Sequence, residues 1–192
     1  MPDPNQAVME FLLSRRSRPA RTLTTPVPTR QELIAMLTAA VRVPDHGKLE
    51  PWRFLVLEKP ALTRLAGLVR DRGAALGYSD EQNAKPIAQY RDADLIVAVI
   101  KCARPTEKIP ETEQTLSAGA VCLSLLNAAL ASGWGACWLT GWPVRDEVFR
   151  RIGLGLGADE WVAGLIHIGT GTAVPPDRPR PEIARLITWA DT

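Results

Sequence analysis

The chain has 192 residues, of which 46% are hydrophobic and 23% charged, an ordinary composition for one water-soluble globular domain. Its formal net charge of +2 is too small to indicate a nucleic-acid or membrane surface by itself. No N-terminal segment has the pattern of a signal peptide, and the longest apolar runs are too short and too interrupted by glycine to span a bilayer. We therefore expect a cytoplasmic protein forming a single domain over residues 1–192, with no nucleic-acid and no membrane partner.

The three cysteines, Cys102, Cys122 and Cys137, are widely spaced, and no Cys-x-x-Cys pair occurs. This spacing argues against a zinc site. We expect three small buried hydrophobic residues in a reducing compartment, and no bound metal.

Two helices are predicted before the first strand. Asp3 can cap the first helix, with Pro4 at its first position, and the helix should run to about Ser14. Residues 15–28 contain three prolines and are predicted to form an extended loop. Thr29 and Glu32 form a capping box that predicts the start of the second helix. Its predicted inward side chains are Leu33, Ile34, Leu37 and Val41.

Strands and helices alternate irregularly through the rest of the chain. The predicted strands are 53–58, 95–102, 136–140 and 161–170, and the predicted helices are 60–76, 79–90, 111–132 and 144–152. Strand 95–102 is apolar throughout, which is typical of a central strand. Helix 111–132 is apolar through its middle and should be buried on most sides. No glycine-rich turn follows the first strand, so we predict an α+β sandwich around a short sheet rather than a dinucleotide-binding fold.

Arg15, Arg16 and Ser17 follow the first helix and open the loop. Two guanidinium groups and a hydroxyl in succession suit a terminal phosphate with several acceptor oxygens. The alternative is a solvated basic helix end, in which the arginines interact with the helix dipole.

Two further segments combine polar or small residues at the ends of predicted elements. In residues 42–54, polar side chains lie between two prolines before a strand, an arrangement typical of a ligand-binding loop. His46 is the only histidine in a predicted loop and is a candidate contact, although it is equally compatible with a surface turn residue. His167 lies in an apolar strand and is interpreted as structural. In residues 133–141, small residues would let a flat ligand approach the backbone, although a tightly packed strand entry is equally compatible.

Together these segments resemble the nitroreductase family, and most closely its short single-domain NAD(P)H nitroreductases. The resemblance covers nearly the whole chain, and its carriers are Arg15-Arg16-Ser17, Arg42-x-Pro44-Asp45-His46, Pro51-Trp52-Arg53-Phe54, Ser117-Ala118-Gly119, Gly133-Trp134-Gly135 and Trp138-Leu139-Thr140-Gly141. It implies a three-layer α/β/α sandwich with a mixed, mostly antiparallel sheet, assembled as a homodimer with FMN at the subunit interface.

The resemblance also implies roles for ten residues. The family's contacts to the phosphate and ribityl chain are matched by Arg15, Arg16 and Ser17, and the positions that reach the partner's flavin by Arg42 and His46. The run beside the isoalloxazine ring is matched by Trp138, Leu139 and Thr140. A basic pair on the phosphate is matched by the tail residues Arg178 and Arg180.

The implied function is an FMN-dependent oxidoreductase that moves hydride from NAD(P)H to a nitroaromatic, quinone or similar acceptor. No side chain need act as a nucleophile, because the flavin carries the chemistry. The alternatives are a non-catalytic FMN-binding or sensing protein, and a dehalogenase-like or flavin-fragmenting branch of the same superfamily.

Three positions depart from the family's pattern. Lys48 and Glu50 stand where many members have Asn and Gln before Pro-Trp, and Leu139 stands where nearer relatives have Arg. Leu139 could therefore contact a flavin only through its backbone or apolar surface, whereas Arg42 and Lys48 could stabilise reduced flavin by their charge.

Overall fold

The computed structural model describes residues 3–190, which contain five α-helices and five strands. The helices are α1 (Gln6–Ser14), α2 (Arg30–Ala40), α3 (Lys59–Ala75), α4 (Asp80–Arg91) and α5 (Glu111–Ala131). The strands are β1 (Leu23–Thr24), β2 (Trp52–Glu58), β3 (Leu95–Cys102), β4 (Gly135–Leu139) and β5 (Glu160–Gly171).

All strand pairs in the described residues are antiparallel. β3 pairs with β2 along one edge and with β5 along the other, as predicted for a central strand. β5 also pairs with β4, from Gly135 opposite Gly169 to Leu139 opposite Leu165, and with the short strand β1. The predicted, mostly antiparallel sheet is therefore confirmed.

The sheet separates two apolar layers, and β3 shows how the sequence builds them. Side chains of a strand alternate between its faces. Ile96, Ala98 and Ile100 accordingly belong to a core with α3 and α4, whereas Val97 and Val99 belong to a core with α2 and α5. The three-layer α/β/α sandwich is confirmed.

Helix α5 has the length and apolar composition of a membrane span, so the prediction that every apolar run is too short for one was wrong. Its Val121, Cys122 and Leu125 are fully buried against α2 and the sheet, so packing within the fold explains its composition. The prediction of burial on most sides is only partly right, because Leu116 is 67% exposed and Leu123 lies on the surface.

Several local predictions need correction. The N-cap of α1 is Asn5 rather than Asp3, since the Asn5 side chain accepts a hydrogen bond from the Val8 amide. On α2, Ile34 is exposed, because the inward face consists of Leu33, Met36 and Ala40. The predicted loop 15–28 contains β1, and the predicted helix 144–152 consists of a 3₁₀ turn and an irregular, π-type turn.

All three cysteines are free and buried, as the sequence predicted.

Candidate functional site: an arginine cleft and two flanking segments

The residues after α1 line a cleft of about 410 Å³. Arg15, Arg16 and Arg18 form one wall of this cleft, and the turn Gly133–Gly135 before β4 and the end of β5 at Gly171 form the other. The strands approach closely here, since a Cβ atom on Gly135 would meet the Gly171 backbone at 3.1 Å. The basic loop is fastened to the sheet because the Arg18 amide donates to the Ala136 carbonyl at 2.8 Å. We call this cavity the arginine cleft.

Three guanidinium nitrogens in the arginine cleft are buried without a hydrogen-bond acceptor among the described residues. They are Arg15 Nε, Arg16 Nε and Arg18 Nη1. Burial lowers the pKa of Arg15, and the positive charges of Arg180 and Arg16 lower it further. Buried donors are normally paired, so the cleft suits an anion with several acceptor oxygens, such as a phosphate.

The C-terminal tail supplies the fourth arginine. Arg180 Nη2 lies 2.9 Å from Asp177 Oδ1, and Arg16 Nη2 donates to the Pro176 carbonyl at 3.0 Å. Arg16 Nε is 3.6 Å from the same Asp177 oxygen, an ion-pair contact too long for a hydrogen bond. The structure therefore brings Arg180 to the cluster, whereas the Arg178 side chain makes no hydrogen bond or ion pair within residues 3–190.

Ser17 and Arg15 interact directly, with Arg15 Nη2 donating to Ser17 Oγ at 3.3 Å. Two of the predicted residues, Arg15 and Arg16, thus line the arginine cleft. Ser17 is joined to it through Arg15, and Arg180 through the Asp177 carboxylate that also contacts Arg16. Arg18 was not predicted as a site residue. Its position in the same basic run as Arg15 and Arg16 could have indicated it.

The second segment, residues 42–50, is attached to the N-terminal half of α5. His46 Nδ1 lies 2.7 Å from Glu113 Oε2, and Ser117 Oγ donates to the Pro44 carbonyl at 2.8 Å. Trp52 Nε1 in turn donates to Ser117 Oγ at 3.2 Å. Arg42 is exposed, and its side chain has no hydrogen bond or ion pair in the described part of the chain.

The backbone of this segment adopts left-handed conformations at Gly47, Lys48 and Glu50, with φ values of 71°, 52° and 47°. Such values are uncommon outside glycine and need support from neighbouring groups. The Asp45 carboxylate gives that support by accepting the Leu49 and Glu50 amides at 3.2 and 2.9 Å, and the Arg104 guanidinium donates to the Glu50 carbonyl at 3.3 Å.

The third segment, Trp138–Thr140, lies at the far end of β4 from the arginine cleft. A strand rises about 3.3 Å per residue, so the backbone from Ala136 to Thr140 extends about 13 Å. Trp138 and Thr140 are exposed, and Leu139 is half-buried. Gly164 leaves room for the Trp138 indole, since a Cβ atom there would collide with it. β4 thus leads from the arginine cleft to the run predicted to lie beside a flat ring.

Within one chain the three segments do not form a single cluster. Among the described residues, no side-chain hydrogen bond or ion pair links Arg42 or His46 to the arginine cleft. The contact of His46 with Glu113 was not predicted, because the two residues are 67 positions apart and share no motif.

The fold is an α/β/α sandwich with a cleft whose buried guanidinium donors lack acceptors among residues 3–190. A model of the nitroreductase family matches residues 12–170. The Escherichia coli K12 protein named "Putative NAD(P)H nitroreductase YdjA" is 32% identical over 162 residues, which cover 84% of this chain and 87% of that protein.

Two crystal structures have the same fold. A nitroreductase-like family protein from Bacillus cereus has a TM-score of 0.80 at 20% identity, with full coverage of both chains. A nitroreductase-type protein from Desulfovibrio desulfuricans, solved in complex with FMN, has a TM-score of 0.74 at 23% identity and 99% coverage of both chains. The chain belongs to the nitroreductase family and is an oxidoreductase.

Proposed function

We propose that the protein is an FMN-dependent oxidoreductase, residues 1–192 forming one domain, that transfers hydride from NAD(P)H to a nitroaromatic, quinone or similar organic acceptor. The observation that carries this proposal is the arginine cleft, with its three buried nitrogens that lack acceptors. The names of the relatives support it, since one is called an NAD(P)H nitroreductase and another was crystallised with FMN.

The phosphate of FMN fits the arginine cleft by charge and by donor count. Arg15, Arg16 and Arg180 would hold it, and Ser17 Oγ would contact the phosphate or the ribityl chain. Arg178 stays a proposed second phosphate contact from the tail. Bound FMN supplies a ring that accepts and returns hydride.

The isoalloxazine ring would lie beside Trp138, Leu139 and Thr140, along the strand that leaves the arginine cleft. Amides of a strand edge can bond the ring edge, and the half-buried Leu139 side chain offers apolar surface. On this view the protein's work is to bind, to orient and to exclude water, and no side chain serves as a nucleophile.

Arg42 and His46 are proposed to act on the flavin held mainly by the partner subunit. Both residues are exposed in the isolated chain, and His46 is held by Glu113 rather than by residues of its own arginine cleft. The positive charges of Arg42 and of Lys48 in the same segment would stabilise reduced flavin.

A homodimer is part of the proposal. Exposed apolar side chains lie on α5 at Leu116 and Leu123, and on the tail at Leu186 and Trp189, the last being 84% exposed. Such surface usually marks an interface. Light scattering at micromolar concentration should give a dimer, and a monomer with flavin still bound would overturn this part. We propose a cytoplasmic location, with no nucleic-acid or membrane partner.

The proposal is tested by releasing the cofactor and by anaerobic reduction. Denaturation should release FMN, and FAD in the chromatogram would contradict the single phosphate site. The yellow protein should bleach when NADH or NADPH is added under nitrogen, and should recover its colour with a nitroaromatic or quinone. A protein that stays yellow would instead be a non-catalytic flavin binder.

A further inference from the structure

A second cleft, of about 320 Å³, lies beyond the end of β4, beside the part of β5 that pairs only with β3. Two arginines, an aromatic ring and a hydroxyl line it, contributed by Arg145, Arg150, Trp161 and Thr140. The remaining lining is aliphatic. We call this cavity the β4-end cleft; it shares no lining residue with the arginine cleft.

The two arginines of the β4-end cleft have unused hydrogen-bonding capacity. The exposed Arg145 side chain makes no hydrogen bond or ion pair within residues 3–190. Arg150 Nη1 donates to the Glu160 carbonyl at 3.3 Å, but its Nε is buried and has no acceptor in that range.

The nearby carboxylates Asp146 and Glu160 form their ion pairs with other arginines. Asp146 is paired with Arg72 at 2.7 Å, and Glu160 is paired with Arg53 at 2.7 Å. Both acids are thus already matched by their own arginines. Arg150 acts on Asp146 through space, but neither Arg145 nor Arg150 forms an ion pair among the described residues.

We propose that the β4-end cleft binds the anionic group, a carboxylate or a phosphate, of a planar molecule that reacts with the flavin. The inference rests on the proposed function through Thr140, which belongs both to this cleft and to the run assigned to the ring. Arg145 and Arg150 hold the anion, and Trp161 supplies an aromatic wall. The anion has two possible sources, an acidic aromatic acceptor and the additional phosphate that NADPH carries and NADH lacks.

Paired probes that differ in charge test this assignment. The acceptors are 4-nitrobenzoate and nitrobenzene, and the donors are NADPH and NADH. In Arg145→Gln, whose side chain is exposed and unbonded, KM should rise about tenfold for the probe that carries the bound anion. Its less charged counterpart should change much less. Arg150→Lys keeps the charge but changes the donor geometry, and should raise the same KM.

Arg151→Gln is the matched control, because Arg151 is adjacent in sequence but pairs with Glu147 on the surface and lies outside the β4-end cleft. A rise confined to 4-nitrobenzoate assigns the site to the acceptor, and a rise confined to NADPH assigns it to the donor's additional phosphate. Equal KM changes for charged and neutral probes, no change, or an equal effect of Arg151→Gln would overturn the assignment.

A binding measurement separates this inference from the proposed function. Calorimetric titration of the wild-type protein in its oxidised form with 4-nitrobenzoate and with NADP+ involves no hydride transfer, and Arg145→Gln should weaken whichever of the two binds here about tenfold. Failure of NAD(P)H to bleach the flavin would defeat the proposed function, whereas binding of both anions unaffected by Arg145→Gln would defeat the cleft alone.

Discussion

Arg15, Arg16 and Arg18 are held in one cleft although their like charges repel one another. Burial and the charges of Arg180 and Arg16 together lower the pKa of Arg15. The Asp177 carboxylate offsets part of this repulsion from the exposed side of the cleft. A bound phosphate would reduce the remaining repulsion and would supply acceptors for the buried nitrogens, so we expect a doubly charged ligand to bind here better than a neutral one.

Sequence could identify the arginines after α1, because adjacent guanidinium groups on a helix end are a local pattern. It could not identify their partners. Pro176, which Arg16 contacts, lies 160 residues away in the chain, with Asp177 next to it. Similarly, Glu113 lies 67 residues from its partner His46. Such contacts depend on the packing of the whole chain.

His167 gives a prediction for pH dependence. Its ring is buried, Nε2 has no hydrogen-bond acceptor or donor among residues 3–190, and burial lowers its pKa from 6.5 to about 4. Between these values the unfolded chain binds a proton that the folded chain does not. Stability should therefore fall as the pH is lowered from 6.5 to about 4.

The variant His167→Gln removes this proton uptake. Urea unfolding of both proteins across the same pH range should show a smaller loss of unfolding free energy in the variant than in the wild type. Parallel curves for the two proteins would mean that His167 does not titrate in this way.

At the level of single elements, local hydrogen bonding predicted some boundaries and not others. The capping box of α2 was correct, since Glu32 Oε2 accepts the Thr29 amide at 2.8 Å and Thr29 Oγ1 accepts the Glu32 amide at 3.3 Å. The helix predicted over 144–152 was wrong in kind, because the Asp146 carboxylate caps the Phe149 amide and interrupts it. The spacing of apolar residues, from which this helix was predicted, carries no information about a side-chain cap of this kind.

Thr29→Ala should destabilise the protein by about 1 kcal/mol, because it removes the acceptor for an amide at the start of α2. Chemical denaturation followed by circular dichroism measures the change. Thr38→Ala is the matched control on the same helix, since the Thr38 hydroxyl bonds only to the Ile34 carbonyl and should contribute less. Equal effects of the two substitutions would show that the box contributes nothing beyond ordinary helix propensity.

At the level of the whole molecule, the sandwich follows from the alternation of β3 and from two helix pairs that cover the sheet. A sandwich around a central strand was predictable, because β3 is apolar on both faces. Its three-layer form was predicted from resemblance to the family. The arrangement of the site was not predictable, because the isolated chain keeps Arg42 and His46 apart from the arginine cleft. Resemblance to the family supplied their proposed role in the partner's site.

Subunit exchange between Arg16→Ala and Arg42→Ala tests that role. If each site takes Arg16 from one chain and Arg42 from the other, a heterodimer has one site with both lesions and one site with neither. Activity should then return toward half of the wild-type value per heterodimer. If both residues served the same chain's flavin, every site would keep one lesion and the mixture would stay inactive. If the Arg42→Ala protein is already active before mixing, Arg42 has no role at the partner's flavin and serves only the end of its own helix.

The central claim, that the arginine cleft holds the phosphate of FMN, is tested most directly by comparing the affinities of FMN and riboflavin in wild type and Arg16→Ala. Arg21→Ala is the control, because Arg21 is exposed and lies outside the cleft. The wild type should prefer FMN, and Arg16→Ala should lose about 1.5–3 kcal/mol of that preference while binding riboflavin as before. An unchanged preference for FMN in Arg16→Ala, at the same salt concentration, would contradict the account.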